Sequence, residues 1–321
     1  MAAQATTSQL TLSNHWDHFL ARWAVNRGGH RVQPGLFALG RPTPDSPVFV
    51  TANYTLSFDA LRSALAGIDG YILVLDTQGI NVWCAAGKGT FGTDELVRRL
   101  EAAQLGEVVR HRVLILPQLG APGVAAHEVK RRTGFKVEYG PVRAADLPEY
   151  LGTHTATPAM RRVQFTLSNR LTLIPVELVA VALPTLILAA VFFFVGGWVS
   201  AAAVVATALA GTALFPILLP WLPTHNFSTK GFILGALMAL PFAVSVVVRH
   251  PDWAWWRQAG QALEFLLAMP AVTAFLALNF TGSTTFTSRT GVRREIFAYI
   301  PAMAWTFGAG ILLGVVLVFI R

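Results

Sequence analysis

Residues 71–89 read YILVLDTQGINVWCAAGKG, and this stretch decides the fold class. Tyr71 to Leu75 is an apolar run of strand length that ends at Asp76. Gln78-Gly79 predicts a turn, Ile80 to Trp83 a short extended segment, and residues 87–92 a glycine-rich loop. A buried strand followed by a polar turn and glycines is typical of a parallel α/β sheet.

The flanking sequence continues the alternation of strands and helices. Strands are predicted at residues 48–52, 113–116 and 136–139, and helices at 55–66, 93–100, 124–132 and 144–151. Ser57 and Asp59 are capping candidates for the first of these helices, and the Thr93 hydroxyl caps the second. We therefore predict a mostly parallel sheet that binds its ligand at the carboxyl ends of the strands.

The second half of the chain has a different composition. Residues 1–170 contain 18 Lys/Arg and 13 Asp/Glu, whereas residues 171–321 contain 7 and 4. Five apolar stretches approach or exceed the roughly 20 residues that a helix needs to cross a bilayer. They predict an all-α membrane domain with spans at about 173–198, 199–222, 231–248, 262–280 and 298–320.

The positions of the basic residues predict the orientation. The loops on the side of the first domain hold seven Lys/Arg, and the opposite side holds three, the last being Arg321. The excess predicts a cytoplasmic first domain and an external carboxyl terminus in the cell membrane. The first 22 residues lack the pattern of a secretion signal, which agrees with this orientation. The basic residues are scattered, so no nucleic-acid partner is expected despite the net charge of +8.

The expected domain organisation has four parts. Residues 1–30 form an amino-terminal arm and residues 31–155 the cytoplasmic α/β domain. Residues 156–172 form a linker, and residues 173–321 the transmembrane domain.

Cys84 is the single cysteine of the chain. One thiol excludes an intramolecular disulfide, and it excludes an iron–sulfur cluster held by this chain alone, because such clusters usually take four thiolates. A lone cysteine is commonly a core residue. Here it follows a predicted strand and precedes glycines, where a large flat ligand approaches the backbone closely. The helix that begins near Thr93 is expected to lower the thiol pKa through its dipole. Lys88 among the glycines also suits a phosphate loop, but the Walker spacing is absent.

The run NVWCAAGK, residues 81–88, resembles the cap-helix signature of the mercury-methylating corrinoid proteins at every position. Further similar segments are VFVTANYTLSFDALRSAL, YILVLDTQGINVW, LILPQLGAPGVAAHEVKRRTGFKVEYGPVRAADLPEYL and NFTGSTTFTSRTGVRRE. In these segments the chain also resembles the corrinoid-binding domain in the large subunit of the corrinoid iron–sulfur protein.

The resemblance implies a cobalt corrinoid of the cobalamin type, with Cys84 as its lower axial ligand. A thiolate is a soft donor that suits such a metal. The implied function is corrinoid-dependent methyl transfer, in which a methyl group passes from a methyltetrahydrofolate-type donor through cobalt to Hg(II) and gives methylmercury. The residues implied to contact the corrinoid are Thr51, Asn53, Asn81, Val82, Trp83, Cys84, Ala85, Ala86, Gly87, Gln118, Leu119 and Gly120.

The resemblance also implies partners. They are a ferredoxin-like protein with two [4Fe-4S] clusters, as electron donor and mercury carrier, a methyl-folate donor system and membrane lipid. Two alternatives stay open: a membrane-bound methyl carrier of one-carbon metabolism with another acceptor, and a non-enzymatic corrinoid-binding or sensory protein.

Overall fold

A computed structural model describes residues 3–284 and 287–320 of the chain, without the side chain of Arg289. The chain divides into two compact units, Met1–Gln164 and Phe165–Arg321. The predictions that concern Thr285, Phe286, Arg321 and the side chain of Arg289 fall outside the described part.

The first unit contains a six-stranded sheet with the order β1-β2-β4-β3-β5-β6. Every neighbouring pair is parallel except β2 and β4, which are antiparallel. The mostly parallel α/β class is thus confirmed. The strands are β1 (Gln4–Thr6), β2 (Gly35–Leu39), β3 (Val48–Ala52), β4 (Gly70–Leu75), β5 (Val113–Leu116) and β6 (Lys136–Tyr139).

Helices cover both faces of this sheet. The helices of the unit are α1 (Leu12–Arg22), α2 (Thr55–Ala64), α3 (Val82–Lys88), α4 (Thr93–Ala102), α5 (Leu105–Val108), α6 (Ala126–Thr133) and α7 (Leu147–Thr153). On one face, Val82, Leu96 and Val129 from α3, α4 and α6 pack in one core cluster. On the other, Phe58 and Leu147 from α2 and α7 pack in a second cluster. Because β3 and β4 are buried on both faces, their sequences are continuous apolar runs without alternation.

Two strands were not predicted, and both lie in or next to the expected amino-terminal arm. β1 has only three residues, and β2 has the sequence GLFAL, which contains no β-branched residue to mark it as a strand. β2 lies next to β4, and its five residues pair with Gly70 to Val74. The arm is therefore part of the sheet and supplies one of its edges.

The predicted extended segment from Ile80 to Trp83 is wrong at its carboxyl half, because α3 begins at Val82. The capping predictions are also wrong. Tyr54 and Gly92 stand at the amino-terminal ends of α2 and α4, and neither helix has a side-chain cap. The Thr93 hydroxyl instead accepts a hydrogen bond from the Ala125 N–H, a contact that fastens α4 to α6.

The second unit is helical. Its helices are α8 (Leu167–Leu171), α9 (Ile174–Leu209), α10 (Phe215–Leu218), α11 (Phe227–Arg249), α12 (Trp255–Asn279) and α13 (Arg289–Phe319). Four stretches are long and apolar enough to cross a membrane in the described residues: Leu167–Leu218, Phe227–Arg249, Trp255–Ser283 and Thr290–Phe319. The predicted count of five spans is not confirmed.

The difference concerns the first of these stretches, which is 52 residues long. It contains the first predicted span and most of the second. Gly197 interrupts the helical backbone with φ 74° and ψ −171°, a conformation that favours glycine. This break lies next to the predicted boundary between residues 198 and 199.

Candidate functional site at the carboxyl edge of the sheet

Cys84 lies in the first turn of α3, the short helix that follows β4. The Asn81 side chain accepts a hydrogen bond from the Cys84 N–H at 2.9 Å and so caps the helix. Gly89 ends it in the left-handed conformation, with φ 87°. Because both ends are specified by the sequence, a helix of only seven residues is held at this edge.

The two sides of α3 have different environments. Val82, Ala85 and Ala86, at spacings of three and four residues, are buried in the core under the sheet. Trp83 and Cys84 lie on the opposite side and are half-buried. The thiol is therefore presented outward at the carboxyl edge of the strands and is not a core cysteine.

Asn53, which follows β3, organises the turn that leads into α3. Its side-chain oxygen accepts hydrogen bonds from the backbone N–H groups of Thr77 and Gly79, at 3.0 and 2.9 Å. The Thr77 hydroxyl lies 2.9 Å from the same oxygen and 2.7 Å from the Ile80 carbonyl oxygen. Asn53 and Thr77 are both buried, so this network fixes the path of the chain from β4 to Asn81.

Glu95 of α4 holds the other side of this turn. It accepts a hydrogen bond from the Asp76 N–H at 2.8 Å and forms ion pairs with Arg98 and Arg99. Burial raises the pKa of Glu95, but the bonds from Asp76, Arg98 and Arg99 outweigh it, and the net pKa is lowered. A carboxylate is therefore kept ionised beside the end of β4.

A second loop lies behind α3. Residues Gln118–Gly120 form a 3-10 turn after β5, and the Gln118 side chain accepts a hydrogen bond from Arg161. A Cβ added at Gly123 would lie 3.0 Å from the Ala86 Cα, and one at Gly120 would lie 2.6 Å from the Phe91 ring. Glycine at these two positions lets the loop approach α3 and the turn that follows it.

The electrostatic environment of Cys84 differs from the one that the sequence predicts. Burial raises the pKa of the Cys84 thiol, and the Asn81 hydrogen bond and the charges of Lys88 and Arg27 oppose the rise without cancelling it. The expected lowering by the α4 dipole is therefore wrong. In the free protein the sulfur is a protonated thiol at neutral pH, and a metal that binds it displaces the proton.

The structure brings the predicted site residues together in two groups. The residues of α3 and the Gln118–Gly120 turn pack against each other. Thr51 lies in β3 and is buried. Asn53 follows β3, and its side-chain oxygen already accepts hydrogen bonds from the turn before α3. Sequence reasoning missed Thr77, Glu95 and Arg27. The polar pair Asp76-Thr77 directly after a buried strand is the signal for Thr77, whereas nothing local marks Arg27.

Comparison with known proteins relates the first unit to enzymes of acetyl-CoA metabolism. Residues 25–151 match the family model described as CO dehydrogenase/acetyl-CoA synthase delta subunit. The chain is 36% identical over 123 residues to the acetyl-CoA decarbonylase/synthase complex subunit gamma of Archaeoglobus fulgidus, a match covering 38% of this chain and 26% of that protein.

Two further relatives match segments of similar length. The subunit gamma of Methanopyrus kandleri is 35% identical over 127 residues, 39% of this chain and 27% of that protein. The corrinoid/iron-sulfur protein large subunit of Moorella thermoacetica is 27% identical over 129 residues, 40% of this chain and 28% of that protein. The chain thus spans about a quarter of the length of these curated relatives. The family match over residues 25–151 covers β2 to β6 and α3.

The donor set at this edge suits a metal that arrives with most of its ligands already in place. Within residues 3–284 and 287–320, no group of three His, Cys, Asp or Glu side chains is placed to hold a bare ion. One outward thiol supplies a single soft donor, which completes the coordination of a metal chelated by a macrocycle. The buried Thr90 hydroxyl, in the loop after α3, has no hydrogen-bond partner in this described part. A single soft donor and an unpartnered hydroxyl are compatible with a chelated metal such as that of a corrinoid.

Proposed function

We propose that this chain is a membrane-anchored corrinoid protein that transfers a methyl group from a methyltetrahydrofolate-type donor to Hg(II). The Cys84 thiolate is the lower axial ligand of the cobalt. The observation that carries the proposal is the outward thiol on a capped helix at the carboxyl edge of the sheet. The similarity of residues 25–151 to proteins of corrinoid and acetyl-CoA metabolism supports it.

The residues of this chain hold and tune the sulfur. Asn81 orients the first turn of α3, and Asn53 orients Asn81 through the preceding turn. The Cys84 thiol would lose its proton to solvent when the sulfur binds the metal. Lys88 and Arg27 would stabilise the negative charge of the thiolate. When bound, the corrinoid supplies a cobalt centre that accepts and releases a methyl group.

The choice of Hg(II) as acceptor rests on the ligand. A thiolate that held the metal would donate more strongly than histidine or water, and this donation would favour release of the methyl group to a soft acceptor. A soft electrophile such as Hg(II) accepts a carbanion-like methyl. A methylfolate donor gives up the methyl group as a cation equivalent, and Hg(II) takes it as a carbanion, so each turnover would consume two electrons. Because one cysteine cannot hold a cluster, we assign these electrons to an external reductant, a ferredoxin-like protein with two [4Fe-4S] clusters.

The relatives favour a second candidate, a methyl carrier of one-carbon metabolism that delivers to another acceptor. The named relatives are subunits of the acetyl-CoA decarbonylase/synthase complex and a corrinoid/iron-sulfur protein. Both candidates place the first unit on the cytoplasmic side of the cell membrane. They differ in the acceptor and agree on the corrinoid.

The absorption spectrum of the purified full chain, loaded with cobalamin, tests the shared part. Cys84→Ala is expected to abolish the spectral signature of sulfur ligation and to reduce methyl transfer to Hg(II) by more than about tenfold. Cys84→His keeps a ligand but weakens donation. Ser13→Ala, an exposed position on α1, is the control.

Each outcome bears on one part of the proposal. A spectrum unchanged by Cys84→Ala contradicts the axial thiolate. A normal sulfur-ligated spectrum without methylmercury formation, in the presence of reductant and methyl donor, contradicts the Hg(II) acceptor and leaves the second candidate.

A further inference from the structure

The amino-terminal helix α1 presents an unpartnered aromatic stripe. Leu12, Trp16, Phe19 and Trp23 are spaced by four, three and four residues, so they lie within an arc of about 60° on the helix. They are 88%, 62%, 47% and 39% exposed. The Trp16 and Phe19 rings stack with centroids 5.3 Å apart, and Phe19 and Trp23 are 5.8 Å apart. The stripe is therefore a continuous, ordered apolar surface.

The contacts that hold α1 to its unit lie on another side of the helix, and they are polar. Asp17 pairs with His30 at 2.7 Å and accepts a hydrogen bond from the Thr55 hydroxyl at 2.6 Å. His18 pairs with Asp59 at 2.8 Å. α1 has no buried residue, so its apolar side is not used in the core. An amphipathic helix that is anchored by its polar side and exposes its apolar side is suited to bind something else.

The charges next to the stripe favour an anionic surface. Arg22 and Arg27 are exposed, and neither forms an ion pair in the described part of the chain. The acid of α1, Asp17, is paired with His30 and turned away from the stripe. Tryptophan and phenylalanine beside arginine is the composition of helices that lie in the headgroup region of a bilayer. The described part of the chain includes four stretches long and apolar enough to cross a membrane, and a covalent link to such stretches would raise the effective concentration of lipid around α1.

We propose that α1 lies on the membrane surface, with Leu12, Trp16, Phe19 and Trp23 inserted among the lipid headgroups and Arg22 and Arg27 facing anionic lipid. The first unit would then be attached to the bilayer through α1 as well as through its covalent connection to the apolar stretches.

Quenching by brominated lipids tests this proposal in the full chain. Because Cys84 is the single cysteine, Cys84→Ser provides a background in which Phe19→Cys carries one environment-sensitive fluorophore. The protein is reconstituted in nanodiscs of equal parts phosphatidylcholine and phosphatidylglycerol. Glu101→Cys, exposed on α4, is the matched control for random contact with the bilayer. Leu12→Cys, at the most exposed position of the stripe, repeats the measurement at a second site.

We expect lipid quenching at positions 19 and 12 to exceed that at position 101 severalfold. Arg22→Gln should reduce it in nanodiscs with phosphatidylglycerol but not in pure phosphatidylcholine. Equal quenching at positions 19 and 101 overturns the proposal. So does a position-19 label that is shielded from aqueous iodide yet unaffected by brominated lipid, because a protein, either a second copy or a partner, then covers the stripe.

Discussion

The two units of this chain use apolar and polar side chains in opposite ways. In the first unit, the apolar residues of β3 and β4 are buried, and buried polar residues such as Asn53 and Thr77 shape the turn beside Cys84. In the second, large apolar residues such as Phe194 and Trp305 are exposed.

Polar side chains in the second unit serve the helix ends. Arg170 donates to the Pro216 and Ile217 carbonyls, Lys230 donates to the Leu219 carbonyl, and Glu295 accepts from the Phe227 and Ser228 N–H groups. Backbone groups in hydrocarbon need such partners because no water reaches them. Polar contacts therefore build a candidate site in the first unit and satisfy the backbone in the second.

The largest effect that this contrast predicts is at Asn53. Asn53→Ala leaves the buried Thr77 N–H and the Gly79 N–H without their acceptor, at about 1–3 kcal/mol for each unsatisfied group. Thermal unfolding of the detergent-solubilised chain, followed by circular dichroism, should show that the first unit unfolds at a lower temperature. Gln78→Gly, in the same turn at a φ of 60°, is the control and should be neutral or slightly stabilising. Equal stability of both variants would contradict the organising role of Asn53.

A smaller effect is expected where helices of the second unit pack closely. A Cβ at Gly235 would lie 2.5 Å from the Pro270 Cα, so Gly235→Ala should force α11 away from α12 at a cost of about 1–3 kcal/mol. Gly308→Ala, with nothing within 4 Å of the added atom, is the matched control. It should stabilise α13 by up to about 1 kcal/mol through helix propensity. Thermal unfolding in detergent measures both, and destabilisation by the control alone would refute the packing argument.

The smallest effect concerns pH and the attachment of α1. Both ring nitrogens of His30 lie 2.7 Å from acceptors, Asp17 and the Val25 carbonyl, so the protonated ring can donate to both. Burial lowers the pKa of His30, but these bonds and the charge of Asp17 outweigh it and raise the net pKa. The stabilising contribution of His30 is full below its ordinary pKa of 6.5 and is lost as pH rises through the raised value.

Asp17 limits the same contact at the acid side. Burial raises its pKa, but the hydrogen bonds from Thr55 and His30 and the nearby histidine charges lower it overall. Its contribution is present above its ordinary pKa of 3.8 and is lost as pH falls through the lowered value. Hydrogen exchange of the α1 amides, corrected for intrinsic rates, should show most protection between these limits. His30→Gln should flatten the alkaline side, whereas His15→Gln, at an exposed position, should not.

Much of the candidate site was predictable because its signals are local. The apolar run from Tyr71 to Leu75, the NVWCAAGK run and the glycines after it lie within about twenty consecutive residues, and local patterns of this kind are readable without a structure. Val82 and Trp83 were predicted to be extended and are helical. The pattern was misleading because β-branched and aromatic residues also suit a strand. Asn81 decides for the helix by capping it.

The sequence alone determined the division into a charged α/β part and an apolar helical part, the mostly parallel sheet and the position of Cys84 after a buried strand. These follow from periodicity, composition and chain order, which do not depend on distant contacts. Only the tertiary structure decided that Asn53 organises the turn before α3, that burial raises the pKa of the Cys84 thiol, and that α1 shows its aromatic side outward. Each of these features depends on how segments that are distant in the chain pack together, and the sequence of one segment does not specify which other segment it will contact.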